Sequence, residues 1–157
     1  MIHYRNDVRK SGVNGRALVA TARRLLAAVG EDEASLSLTL VGDAAIRTMN
    51  LEHRGKDRAT DVLSFPMDAG RSKRRNGGAP VPERLLGDVV ISVPTALRQA
   101  ADYDAPLQDE LYRLLIHGVL HVLGHDHTHA GERRTMEREE RRLADAIALR
   151  WPYEAAR

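Results

Sequence analysis

The stretch Leu114-Leu115-Ile116-His117-Gly118-Val119-Leu120-His121-Val122-Leu123-Gly124-His125-Asp126-His127-Thr128-His129 decides the reading of this chain. Its first ten residues are apolar on nearly every side, the pattern of a helix that is buried rather than laid on a surface. That helix is expected from Pro106 to Leu123, with Gly124 ending it. A buried helix needs other elements to cover it, and the flanking sequence supplies them.

Upstream, Ser35–Val41 alternates polar and apolar residues, the period of a half-buried strand. Asp61–Pro66 reads as a second strand that Pro66 ends or places at an edge. Leu86–Val93 reads as an internal strand, and Ile2–Tyr4 as the first strand of the chain. Helices are expected over Val13–Val29, with Leu18, Leu25 and Leu26 towards the core and Gly30 as the stop. Others are expected from Asp43, as cap, to about His53, from Pro94 to about Ala101, and from Ala130 to Arg150. The order βαβαββααα predicts an α/β (α+β-like) fold: one compact domain over residues 1–157, with a small mixed four-stranded sheet and about five helices on it. Residues 68–82 form a Gly-, Pro- and Arg-rich loop, long enough to be either functional or mobile.

Composition narrows the chemistry. With 157 residues, the chain is long enough for a hydrophobic core. It contains no cysteine, which rules out a disulfide scaffold and any thiolate metal site. The aromatics are Phe65, Trp151 and four tyrosines, few for a protein that stacks on bases. The start of the chain has no signal-peptide shape and no stretch is apolar enough to span a membrane, so a soluble cytoplasmic protein is expected. The net charge of +2 says little; its distribution says more. Arg71, Lys73, Arg74 and Arg75 put four positive charges in five residues, a group suited to an RNA backbone and equally to a solvated loop. Glu132–Arg142 mixes both signs and reads as a solvated helix face.

Five of the seven histidines fall between positions 117 and 129. His117 and His121, four apart on a helix, stack on one face with converging rings. Gly124 allows a left-handed turn, after which a third histidine can swing back. The spacing His-x3-His-x5-His favours His127 for that place, with His125 and His129 as rivals. Three imidazoles leave a tetrahedral Zn2+ one open position, as in catalytic sites. One zinc per chain is expected, although imidazole also suits nickel and copper. The bland alternative is a hydrogen-bonded histidine pair in the core. Asp126 is either an outer partner of the site or a turn residue. Metzincin proteases share this spacing but carry a glutamate after the first histidine as base; here that residue is Gly118. A metallopeptidase reading therefore loses its base. A non-catalytic protein with a structural metal is the other alternative.

The histidine block resembles the signature of the YbeY family of bacterial endoribonucleases. Asn50-Leu51-Glu52-His53-Arg54-Gly55-Lys56-Asp57-Arg58-Ala59-Thr60-Asp61-Val62-Leu63-Ser64-Phe65-Pro66 is similar to the family's second block, and Leu86-Gly87-Asp88-Val89-Val90-Ile91-Ser92 to its third. The resemblance implies a single-domain α/β fold with a three-histidine zinc site. It implies single-strand-directed RNase activity in 16S rRNA 3′-end processing and ribosome quality control, with ribosomal RNA and the small subunit or its proteins as partners. It further implies that Arg54 lies near the metal and serves the reaction. Asp88, in an apolar strand, either binds a backbone amide or faces a partner surface. Asp57 and Asp61 read as a helix-end charge and a turn or cap residue. Oligomeric state is left open, and a monomer is compatible with all of this.

Overall fold

Strands β1 (Ile2–Asn6), β2 (Ser35–Val41), β3 (Val62–Pro66) and β4 (Leu85–Ser92) form one sheet in the order β1-β2-β4-β3. The computed structural model describes residues 1–67, 84–126 and 128–151. The pairs β1–β2 and β2–β4 are parallel and β3–β4 is antiparallel, so the sheet is mixed as expected. Pro66 is the last residue of β3, an edge strand, where its missing N–H costs no ladder bond. The link from β3 to β4 includes residues 68–83, so the basic cluster Arg71, Lys73, Arg74 and Arg75 lies outside the described residues.

The helices are α1 (Gly15–Ala28), α2 (Asp43–Arg54), α3 (Val93–Asp102), α4 (Leu107–Val122) and α5 (Ala130–Ala146). The element order is the one the sequence predicts. Helix α1 starts two residues later than expected because Asn14 is its cap, accepting from the Ala17 amide at 3.0 Å. Helix α5 stops at Ala146, short of Arg150. Ala148 turns the chain at φ +55°, and Leu149 folds back into the core with its amide on the Ala144 carbonyl at 2.8 Å. Neither α1 nor α5 has a basic residue in its last turn. Each receives one from the other: Arg142 donates to the Ala28 carbonyl at 3.0 Å, and Arg24 to the Ala146 carbonyl at 2.8 Å.

Alternation along the strands sorts the core into two parts. Leu36, Leu38 and Leu40 of β2 and Val89 and Ile91 of β4 pack with α1, α4 and α5. Val41, Leu63 and Val90 turn to the other face, where Ile46 of α2 covers them. Helices α4 and α2 therefore lie on opposite faces of the sheet.

Asp43 corrects one expectation. Gly42 is the cap of α2, and Asp43 is its first helical residue. The carboxylate turns away from its own helix and accepts from Ser92 Oγ at 2.6 Å, Thr95 Oγ1 at 2.6 Å and Arg98 at 2.8 Å. Ser92 caps α3, so this knot ties the starts of two helices. Desolvation pushes the Asp43 carboxyl upward, but the bonds from Ser92, Thr95 and Arg98 outweigh it and bring the pKa to about 2.

Helix α4 meets the sheet at Gly118. A Cβ there would stand 2.6 Å from Val89 Cγ1 and 3.3 Å from Ser64 Oγ. Val89 is β-branched and stiff, so it has little room to yield. Ser64 Oγ also donates to the Gly118 carbonyl at 3.1 Å, fixing the helix to β3.

Gly118→Ala gains helix propensity of about 1 kcal/mol but overpacks a filled site at a cost of ~1–3 kcal/mol. A lower thermal midpoint is expected, with a smaller loss when the same change is made in a Val89→Ala background. Because the folded-state pKa of Asp43 is depressed, its stabilisation is complete above the unfolded value and is lost as pH falls from about 4 to about 2. Asp43→Asn should cost about 1–2 kcal/mol at neutral pH, allowing for partial exposure. Urea melts across this range should show the gap between variant and parent closing as pH falls.

Candidate metal centre

The histidine pair is set by α4. Leu111, Leu114, Leu115, Ile116, Val119 and Leu120 are buried, while His117 and His121 are half-buried at the helix rim. One helical turn apart, their Nε2 atoms converge to 3.0 Å, with ring centroids 4.5 Å apart and planes at 64°. Two nitrogens on a tetrahedral zinc, each at about 2.0–2.1 Å, stand ~3.3 Å apart. The pair thus has a spacing that one ion can bridge. A single proton can also bridge it, as a hydrogen bond between neutral rings.

Helix α4 ends as its sequence predicts. Gly124 has φ +98°, its amide bonds the His121 carbonyl at 3.0 Å, and the His125 amide bonds the Leu120 carbonyl at 3.0 Å. This Schellman closure turns the chain out of the helix axis. Beyond it, His125, Asp126 and His129 line an open cavity of about 450 Å3 with Gly124, Glu132 and Thr135. Asp126 accepts from the Thr128 hydroxyl, as a turn residue does. Among the described residues, no three His, Asp or Glu side chains are grouped to hold a metal ion. His125 and His129 are therefore not grouped with His117 and His121 in this structure. His127 lies outside the described residues.

One residue at the site escapes the sequence reading. Glu140 of α5 is buried, with its side chain 3% exposed, and its Oε1 stands 4.0 Å from Nδ1 of His117. It sits in the run Glu132–Arg142, which reads as a solvated face. The available signal is its spacing: Met136, Glu140, Leu143 and Ala144 form one buried stripe at i, i+4, i+7 and i+8.

Arg54 is exposed in the last turn of α2. The turn after it is held firmly. Asn50, buried, donates to the Arg58 carbonyl at 2.9 Å, and Asp57 takes two bonds from Arg47 at 2.8 and 3.2 Å. His53 packs edge-on against Phe65 of β3 at 4.8 Å. Helices α2 and α4 thus abut the same edge strand from opposite faces, His53 through Phe65 and Gly118 through Ser64. Asp61 accepts from the Val62 amide at 2.7 Å, as a turn residue does, and from Gln99 of α3 at 3.3 Å. Asp88 is half-buried on the α2 face, opposite Ser37 and Phe65. It is therefore on the far side of the sheet from the histidines.

At position 118 the side-chain direction leads into Val89 rather than towards the histidine nitrogens. A glutamate could not serve there as base without displacing α4 from the sheet.

Comparison with known proteins agrees with this architecture. The family model described as Endoribonuclease YbeY matches residues 3–148. A protein of Moorella thermoacetica described by that name is 43% identical over 141 residues, covering 87% of this chain and 90% of the relative. One from Syntrophotalea carbinolica is 39% identical over 145 residues, covering 91% and 93%. One from an Anaeromyxobacter species is 47% identical over 134 residues, covering 85% of this chain but only 65% of its own length. A Thermotoga maritima protein solved in solution superposes with a TM-score of 0.57 at 21% identity, covering 94% of this chain and 92% of that one, which supports the fold alone. Matched by the family model from its first strand to beyond its last helix, the chain belongs to the YbeY family of endoribonucleases.

Proposed function

We propose that this chain is a zinc-dependent, single-strand-directed endoribonuclease acting in 16S rRNA 3′-end processing and ribosome maturation. The observation that carries the metal part is the convergence of His117 and His121 Nε2 at 3.0 Å, with His127 at the spacing of a third ligand. Family membership carries the RNA part. Ribosomal RNA and the small subunit or its proteins are the partners this reading requires, in the cytoplasm. No described helix is long and apolar enough to cross a membrane.

His117, His121 and His127 would hold one zinc ion, leaving a coordination position open. Zinc so held supplies Lewis acidity at a phosphoryl group or its nucleophile. The protein's own share is orientation and charge. Arg54, on a turn braced by Asn50 and Asp57, offers two parallel N–H donors to the non-bridging phosphate oxygens. Arg71, Lys73, Arg74 and Arg75 would add sequence-independent attraction for the RNA backbone. A metallopeptidase reading is disfavoured by Gly118, whose side-chain direction points into the sheet.

The deciding experiment compares cleavage of single-stranded RNA by rigorously purified protein, by His117→Ala and by chelator-treated protein. One zinc per chain is expected in the parent and little in His117→Ala, with cleavage lower on the order of 100-fold or more. Equal activity in all three samples would refute metal-assisted cleavage. Arg54→Ala should keep its zinc and its thermal midpoint, since exposed positions change stability by only about 0.5 kcal/mol. It should lose roughly 10–100-fold in cleavage. Unchanged cleavage would remove Arg54 from the reaction.

A further inference from the structure

We propose that Glu140 is a positioning residue for the metal centre: its buried carboxylate accepts the Nδ1–H of His117 and so commits Nε2 of that ring to the metal. The inference rests on the zinc reading above. An imidazole has two nitrogens on different edges. In His117, Nε2 points to Nε2 of His121 at 3.0 Å, and Nδ1 points to Glu140 Oε1 at 4.0 Å. A modest side-chain rotation brings the second distance to the ~2.7–2.9 Å of a charge-assisted hydrogen bond.

Burial gives the argument its weight. Only 3% of the Glu140 side chain is exposed, against 26% for His117. An ionised carboxylate taken out of water costs several kcal/mol unless another charge compensates. Helix α5 places it there on the same stripe as Met136 and Leu143, both fully buried. A leucine would serve core packing better. A dipositive ion on the opposite edge of the ring would add to the charge that favours this burial. Ligating histidines commonly donate their other N–H to a carboxylate, which fixes the tautomer and makes the ligand more basic. Glu140 does not act as a ligand itself, since it is beside the ring edge that faces away from the converging nitrogens. Its contribution comes from α5, a helix that carries none of the three histidines.

The test measures zinc affinity by competition with a chelating indicator, for the parent, Glu140→Gln and Glu140→Leu, alongside zinc-free thermal melts. Both variants should bind zinc about 10–100-fold more weakly. Zinc-free Glu140→Leu should melt close to the parent, because a hydrocarbon of similar size fills the place of the buried carboxylate. A residue with only a packing role gives the reverse: a lower melting temperature and unaltered zinc affinity. That pattern overturns the proposal. A parent protein that binds no zinc overturns the zinc reading and this inference together. If the variants do not fold, nitrogen-15 spectra of the zinc-loaded parent decide. A His117 ring protonated at Nδ1 and ligated through Nε2 supports the role of Glu140, and the opposite tautomer rules it out.

Discussion

Helix α4 lies as close to the sheet as a residue without a Cβ allows. That contact, Gly118 against Val89 with Ser64 bonded to the same turn, sets the depth at which the helix is buried. It seats Leu114, Leu115, Val119 and Leu120 in the main core. It leaves His117 and His121 at the rim, half in solvent, where a ligand can reach them. A wider spacing would open a void beneath the helix and lift the histidines away from α5.

Two carboxylates are buried against α4, and each lies beside a basic side chain. Glu110 is fully buried near the start of the helix, and Arg113 grips it, with bonds from Nε at 3.0 and 3.1 Å and a shorter one from the terminal nitrogen. Arg113 also reaches Gln99 of α3 at 3.4 Å and comes within 4.0 Å of Asp61 before β3. At the other end of the helix, His117 meets Glu140 from α5. Such groups add little net stability compared with hydrocarbon, yet losing one partner is costly. They fix how α3, α4, α5 and β3 meet, while the leucines supply the attraction.

Periodic features are legible in the amino-acid sequence itself. Alternation locates β2, the apolar run locates α4, and Gly124 ends that helix with the left-handed turn its position requires. Contacts between distant residues are not legible in this way. Gly118 stands out in sequence as the missing base of a peptidase, and only the 2.6 Å approach to Val89 explains why glycine is there. Asp43 stands where a helix cap belongs, but its partners Ser92, Thr95 and Arg98 are about fifty residues away. Glu140 is concealed by the charged residues around it, since composition averages over a helix and burial does not. Arg54 is singled out only through likeness to a family, because an exposed arginine carries no local signal of function.

The exchange of arginines between α1 and α5 bears on the order in which the molecule can be completed. Arg142 and the carbonyl it meets are 114 residues apart, and Arg24 and its carbonyl 122 apart. During synthesis, α1 leaves the ribosome early, with its Leu25, Leu26 and Ala27 carbonyls closed by the amides of Val29, Glu31 and Gly30 and its Ala28 carbonyl open to water. The Ala28 carbonyl acquires Arg142 only when nearly the whole chain has emerged. Contacts of such separation form late and slow folding. The last helix therefore completes the first: until it docks, the Ala28 carbonyl lacks Arg142 and His117 has no neighbour from α5. A chain released short of residue 142 would carry the histidine helix but not the fastening that completes its surroundings, so an unfinished product would also be an unequipped one.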